Sequence, residues 1–491
     1  MGNAVGDERS TTQPRLRFPN RGVVRRQGHI QSMSDAPIEN VKRTIRPALP
    51  GSGPRALQDG PVIALTILAA VFIGYSLVAA RLDRWSITAP IVFVLTGVLI
   101  GLGAPDWLGP IGDPETVKHI AELTLALLLF TDASTLRWGQ LREEGALPLR
   151  LLLIGFPLTV LAGFGVGTWL VPAAPMAAAA LAASILAPTD AALGLGVFTN
   201  RSVPGRIRRA LNVESGLNDG MATPLVTLFL ALLVAEEGSS PGNWVAESLV
   251  ELGIALVVGV AVGTIAGRLI AAAQGRGWTS HLSDRLAILA TALLAYGGAV
   301  AAGGNGFVAA FVGGIVFAFA SKGRLREPVE FTEDLGLFAS FLVWATFGAL
   351  LLAPQLTGGV SSLAIVYAIL SLTLVRMIPV AVAMIGTGLR PATILFMGWF
   401  GPRGLASVVF TLIAFETLEE GGLASDTMIE IATWTVFLSV MLHGVTAGPL
   451  ARWYGRRVKD EPVEQSVSAE HLEDAVPRAL TDARPSRKAT V

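Results

Sequence analysis

From residue 61 onward, long apolar runs alternate with short polar connectors. Runs of about twenty apolar residues recur at 61–80, 87–104, 117–135, 148–171, 174–198, 207–235, 244–273, 284–302, 305–321, 332–353, 359–386, 391–416 and 427–452. A hydrocarbon core about 30 Å thick takes roughly 20 helical residues to cross, so the pattern predicts about thirteen transmembrane helices. The runs are too long and too continuously apolar for barrel strands, and lipid offers no partner to a free backbone group, so closed helices are expected. The fold class that follows is all-α, a polytopic membrane protein.

Two runs are interrupted at corresponding places, the fifth at Pro188 and the twelfth at Gly401-Pro402. Proline lacks a backbone donor and its ring blocks a neighbouring helical hydrogen bond, leaving groups that only a protein-lined or wet cavity can satisfy. If runs one to six and eight to thirteen are inverted halves, the broken helix is the fifth of each, where a mid-membrane binding site is expected. Two ordinary proline kinks are the alternative, and the acids on the neighbouring run weigh against it.

Basic residues set the orientation. Arg81 and Arg84, Arg137 and Arg142, Arg201 with Arg206, Arg208 and Arg209, Arg268 with Arg276, and Lys322 with Arg324 and Arg326 fall in alternate connectors, and the connectors between carry none. The carboxyl terminus, with Arg452, Arg456, Arg457 and Lys459, is therefore expected in the cytoplasm. An odd count of helices then puts the amino terminus outside, which conflicts with the ten Arg and Lys of the leading 60 residues. Those residues lack the apolar core and cleavage site of a signal peptide. The expected organisation is a disordered tail over 1–60, with Met33 as an alternative start, a transmembrane domain over 61–455, and a disordered cytoplasmic tail over 456–491.

Composition narrows the chemistry. Apolar residues make up 52% and charged residues 15%, against about 25% charged in soluble domains, and mean hydropathy is +0.59. A net charge of zero gives no reason to expect nucleic acid. The absence of Cys rules out disulfides and thiolate chemistry, and the five His show no zinc-site spacing. No G-x-x-x-x-G-K-[ST] loop is present, so neither nucleotide nor cofactor is expected, and no metal beyond a transported monovalent cation.

Against this background Thr189-Asp190 and Asn212-Val213-Glu214-Ser215-Gly216-Leu217-Asn218-Asp219-Gly220 place three carboxylates at membrane depth. An ionisable group there costs at least about 2 kcal/mol and persists mainly where it lines an ion path or is paired. On a helix Glu214 and Asn218 are four apart, as are Ser215 and Asp219, so the pairs form adjacent stripes. Asp219, Ser215, Asp190, Thr189 and carbonyls loosened by Pro188 offer oxygen ligands to a hard cation. Intramembrane positive charge is confined to Arg376 and Arg403. Two arginines against three acids leave one negative charge, which one proton or one monovalent cation would neutralise. Arg376 is expected to hold Glu214 in bidentate geometry, either as a helix lock or as part of the transport path. Arg403 faces either Asp190 or carbonyl dipoles at the break. Asp132 is either the floor of a cytoplasmic funnel or a solvated helix end. His119 and Glu122 are read as interfacial, Glu251 and His443 as satisfied or snorkelling polar groups, and the glycines at 97–101, 303–304 and 313–314 as helix contacts.

Thr189-Asp190, the Glu-Ser-x-x-Asn-Asp element at 214–219, Arg376 and Gly398-Trp399-Phe400-Gly401-Pro402-Arg403-Gly404 resemble the bacterial NhaP-type sodium/proton antiporters of the first cation:proton antiporter family, over about residues 60–455. The resemblance implies an antiporter fold of thirteen helices with inverted repeats and two crossed broken helices. It also implies a homodimer in the cell membrane, whose core domain moves against a dimerisation domain. Asp219 would carry ion and proton with help from Asp190, Ser215 and Thr189, while Asn218, Glu214, Arg376 and Arg403 would support them. The Asn-Asp pair implies one-for-one, electroneutral exchange of Na⁺, with Li⁺ or K⁺ as other substrates. Ala191-Ala192 replaces the Asp-Pro step frequent in the family, and Gly216-Leu217 a Leu-Phe type pair, changes that bear on ion preference. A cation channel would favour a filter repeated by symmetry, and an intramembrane enzyme lacks a nucleophile and base motif. A sensor that binds ions without moving them is less compatible with broken helices.

Overall fold

Apolar runs in lipid close their hydrogen bonds internally, and among the described residues the regular structure is helical, with no strand. A computed structural model describes residues 54–104, 113–136, 145–191, 193, 197, 200, 202–237, 244–420 and 426–458. The tail to residue 53, including Met33, the chain beyond Val458 and the loop arginines Arg137, Arg142 and Arg201 lie outside the described residues.

In chain order the helices are α1 (Pro54–Arg84), α2 (Ala89–Gly103), α3 (Pro114–Thr135), α4 (Ala146–Leu170), α5 (Met176–Ile185), α6 (Gly205–Glu237) and α7 (Trp244–Gly275). There follow α8 (His281–Ala301), α9 (Gly306–Ala320), α10 (Arg326–Thr346, continuing through Phe347–Leu352 and Ala353–Gly358), α11 (Ser362–Ala383), α12 (Pro391–Trp399), α13 (Leu405–Glu420) and α14 (Asp426–Val458). Eight of them are long and apolar enough to cross a membrane, and α2, α5 and α9 are shorter apolar helices.

Helix extends past both ends of the stretch 61–455. α1 starts at Pro54, inside the stretch read as tail, where Arg55-Ala56-Leu57-Gln58 are good helix formers. α14 runs to Val458, past the expected end at 455, because packing holds its last turns. Tyr454 stacks on Phe396 with ring centroids 4.1 Å apart and shares a hydrogen bond with Thr393, and Val458 is buried.

The helices pack into two groups. In one, α3 lies against α9 and α10, α2 against α10, and α7, α8 and α9 against each other. In the other, α5 packs between α4 and α6, and α11 against α4, α12 and α14. The groups meet where α13 lies along α3 and where α6 touches α3, α7 and α9. Glycine allows the closest contacts: at Gly97 of α2 a side chain would overlap the Ala345 carbonyl, and at Gly348 of α10 the Val94 carbonyl. Gly101 lies against Ala349, Gly313 against Gly259 and Gly314 against Phe130, while Gly304 packs on Ile254. α1 and α7 bury little of their apolar surface within the chain, with Leu65, Ile73, Leu77, Leu249, Val257 and Leu269 exposed.

Candidate functional site

The two interruptions meet. α5 ends at Ile185 and the chain is non-helical through Asp190, while α12 ends at Trp399 and helix resumes as α13 at Leu405. The Asp190 amide donates to the Pro402 carbonyl at 2.8 Å, and the Leu405 amide donates to Asp190 Oδ2 at 3.1 Å. Ser407 Oγ donates to the Ile185 carbonyl at 2.6 Å, and the Arg403 amide donates to Ser439 Oγ at 2.6 Å. Each break thus satisfies backbone groups that the other leaves free, the condition for irregular chain inside a bundle. The Asp190 carboxylate caps the first turn of α13, where the helix dipole favours negative charge.

Gly404 makes this crossing possible, since a Cβ there would overlap the Asp190 side chain. Gly404→Ala is therefore expected to cost about 1–3 kcal/mol, the range for overpacking a tight contact. A lowered melting temperature of the purified protein, together with reduced transport, is the predicted readout. An unchanged melting temperature would show that the crossing is looser than the geometry states.

α6 runs past the crossing and clamps its first strand of chain. Ser215 Oγ donates to the Thr189 carbonyl at 2.8 Å and accepts from the Ala191 amide at 2.7 Å, and Asn218 Nδ2 donates to Thr189 Oγ1 at 2.7 Å. Thr189, Ser215 and Asn218 are buried. One turn on, Asp219 is half-buried, and its Oδ1 and the Oδ1 of Asn218 are enclosed with no hydrogen-bond donor in reach. Buried polar atoms are ordinarily bonded. Oxygens without a donor, one of them on a carboxylate, are suited to a hard cation or a proton.

The two arginines have partners of their own. Arg376 of α11 donates from Nη1 to Glu214 Oε1 at 2.6 Å and from Nη2 to Glu214 Oε2 at 2.9 Å, and both residues are buried. Gly401 leaves room for that guanidinium, since a side chain at 401 would strike it. Arg403, fully enclosed, donates to the carbonyls of Ala187, Gly401 and Ser371 at 3.3, 3.4 and 3.3 Å. Its charge therefore bears on the carbonyl dipoles that the breaks expose.

Asp132 lies near the end of α3, half-buried beside Gly216 of α6. It is within electrostatic reach of Asp190, Asp219 and Glu333. The structure thus brings Asp132, Asp190, Thr189, Ser215, Asn218 and Asp219 to one locality, while Glu214 and Arg376 bond each other and Arg403 bonds carbonyls. Sequence reasoning gave no role to Glu333, which stands at the polar start of its run. It also passed over Lys118 and Glu416, which pair at 2.9 Å at the far end of α3. Their only signal was a charge near the end of each of two runs. Glu122, one turn after Lys118 on α3, accepts a hydrogen bond from Tyr296 at 2.9 Å. His119 is exposed on its own helix, Glu251 is exposed, and buried His443 is held by Ser439 and the Trp399 carbonyl.

The family described as sodium/hydrogen exchanger, transmembrane, matches residues 67–453. A probable Na⁺/H⁺ antiporter of Schizosaccharomyces pombe is 30% identical over 256 residues, covering 49% of this chain and 33% of the relative, so the match spans about a third of that relative's length. The K⁺/H⁺ antiporter NhaP2 of Shewanella sp. is 22% identical over 413 residues, covering 82% of this chain and 68% of the relative. Among solved structures, the sodium proton antiporter MjNhaP1 from Methanocaldococcus jannaschii superposes with a TM-score of 0.66 at 22% identity, covering 81% of this chain and 99% of that one. That likeness establishes a shared all-helical fold.

Proposed function

The chain belongs to the transmembrane sodium/hydrogen exchanger family, and from that premise we propose that it is an electroneutral antiporter exchanging one monovalent cation for one proton at Asp219. Cation:proton exchange across a membrane by a multi-pass protein is the coarse reading that membership supports. The choice of residue and the stoichiometry are our reading of the site. The observation that carries it is Asp219 Oδ1, enclosed and without a donor at the crossing of the two breaks.

The charges supply the mechanism. Glu214 is neutralised by Arg376, and the hydrogen bonds of Arg403 go to backbone carbonyls, so neither arginine is paired with Asp219. Moving a bare carboxylate through a dry bundle costs several kcal/mol, whereas the same carboxylate with a proton or a monovalent cation is neutral. Only the loaded site crosses readily, and a site that returns loaded with the other ion performs exchange. Asp190, Ser215 and Thr189 assist through their remaining lone pairs, since each already makes one or more hydrogen bonds that fix its position. Asn218 adds its free amide oxygen. Asp132 gathers cations on the cytoplasmic side of the site.

The same proposal covers the surroundings. The protein sits in the cell membrane with its carboxyl terminus cytoplasmic, as the basic connectors indicate, and serves sodium and pH homeostasis. It works as a homodimer, in which a second copy covers part of the apolar surface that α1 and α7 leave exposed. Sodium is the favoured cation; potassium is the second reading, favoured by the Shewanella relative's printed activity.

Acid-loaded proteoliposomes test this directly. Proton efflux on adding NaCl, unchanged when the membrane potential is clamped, is the expected result. A response to KCl alone changes the substrate and keeps the mechanism, and silence towards NaCl, LiCl and KCl contradicts the function.

A further inference from the structure

α3 and α13 run antiparallel across the contact between the two helix groups. Near one end of α3, Asp132 stands beside the acids of the site, and α13 begins there with Leu405 donating to Asp190. Toward the other end, Lys118 Nζ lies 2.9 Å from Glu416 Oε2. At roughly 1.5 Å per residue, Glu416 is about 16 Å along α13 from Leu405, and Lys118 about 21 Å along α3 from Asp132.

The stretch between is lined by apolar side chains. Ala121 and Leu125 share the helical stripe of Lys118 and Asp132, while Val409 and Leu412 share that of Leu405 and Glu416, and all four apolar residues are buried. The Glu416 side chain is 5% exposed and that of Lys118 26% exposed. A carboxylate this enclosed, at the end of an apolar seam, is costly unless its partner stays in place. Lys118 belongs to a helix packed on α9 and α10, whereas α13 continues from the break after α12, and its Leu405 amide donates to Asp190 in the break after α5.

We propose that Lys118 and Glu416 form a latch that shuts the route from the ion site to the face opposite Asp132, the outer face in the orientation above. The latch rests on the antiport reading: for the site to open outward, α13 must part from α3, and this ion pair must break and re-form in each cycle. Neither residue touches the transported ion. They decide which side the site faces.

The chain contains no cysteine, so Lys118→Cys/Glu416→Cys can be joined by a reductant-cleavable bifunctional thiol reagent without side reactions. In proteoliposomes, sodium-driven proton flux is expected to fall to the background of protein-free vesicles on crosslinking and to return on reduction. Each single-cysteine protein should exchange at the same rate before and after the reagent, whatever that rate is. Crosslinked protein that exchanges at its uncrosslinked rate would overturn the latch.

A second measurement needs no transport at all. Leu412→Cys, probed from the outer face with a membrane-impermeant thiol reagent, should label faster when Glu416→Gln is added, and equal labelling rates would overturn the proposal. Should the wild-type chain move no protons, the antiport reading fails by itself, while this labelling still reports whether the ion pair closes the seam.

Discussion

Asp219→Asn is expected to abolish cation-dependent proton movement while leaving the amount and melting temperature of folded protein unchanged. The change is nearly isosteric and removes only the charge. In the structure Asp219 Oδ1 accepts no hydrogen bond, so no folded-state partner is stranded, and the backbone carbonyl that accepts from Thr223 is unaffected. An intramembrane carboxylate that served packing would leave a broken ion pair behind; this one leaves a neutral amide beside Asn218. The measurement is proton flux in proteoliposomes reconstituted with equal masses of wild-type and variant protein, with thermal unfolding in detergent as the control for folding. Exchange at the wild-type rate would remove Asp219 from the centre of the mechanism.

Glu214→Ala should act in the opposite way, by depleting folded protein. Its partner Arg376 is buried and makes both of its short side-chain bonds to Glu214. Removing the carboxylate strands a guanidinium, a loss of about 3–5 kcal/mol, against a total stability of about 5–15 kcal/mol for a typical domain. Expression and melting temperature should both fall sharply. The double variant Glu214→Leu/Arg376→Met should recover much of the loss, because replacing a buried pair with apolar side chains is frequently neutral. Normal stability of Glu214→Ala with transport gone would instead move Glu214 into the ion site.

How much of this was legible in the sequence depended on whether the physics was local. Pro188 and Gly401-Pro402 mark the helix breaks because a proline acts on its own turn, and the structure breaks both helices there. Glu214 and Arg376 were matched across 162 residues because intramembrane charge is so sparse that few pairings are available. The capping of α13 by Asp190 is a contact across 215 residues with a backbone amide, and an amide carries no sequence signal. For Arg403 the sequence left Asp190 and the carbonyl dipoles of the break as alternatives, and its hydrogen bonds go to three carbonyls. Lys118 and Glu416 escaped notice because each stands near the end of its run, where a charge reads as solvated, and only the folded arrangement encloses the carboxylate. The helix past 455 was not legible because hydropathy reports composition, whereas the ring stack of Tyr454 on Phe396 holds helix where composition has already turned polar.

The measurement that tests the account most directly is the apparent cation affinity of proton flux across a series of pH values. If cation and proton occupy Asp219 in turn, each must weaken the other's binding reciprocally. The apparent KM for sodium should then rise as pH falls, while the rate at saturating sodium stays constant. A saturating rate that falls with pH at constant KM would place proton and cation on separate groups and contradict a single shared carboxylate.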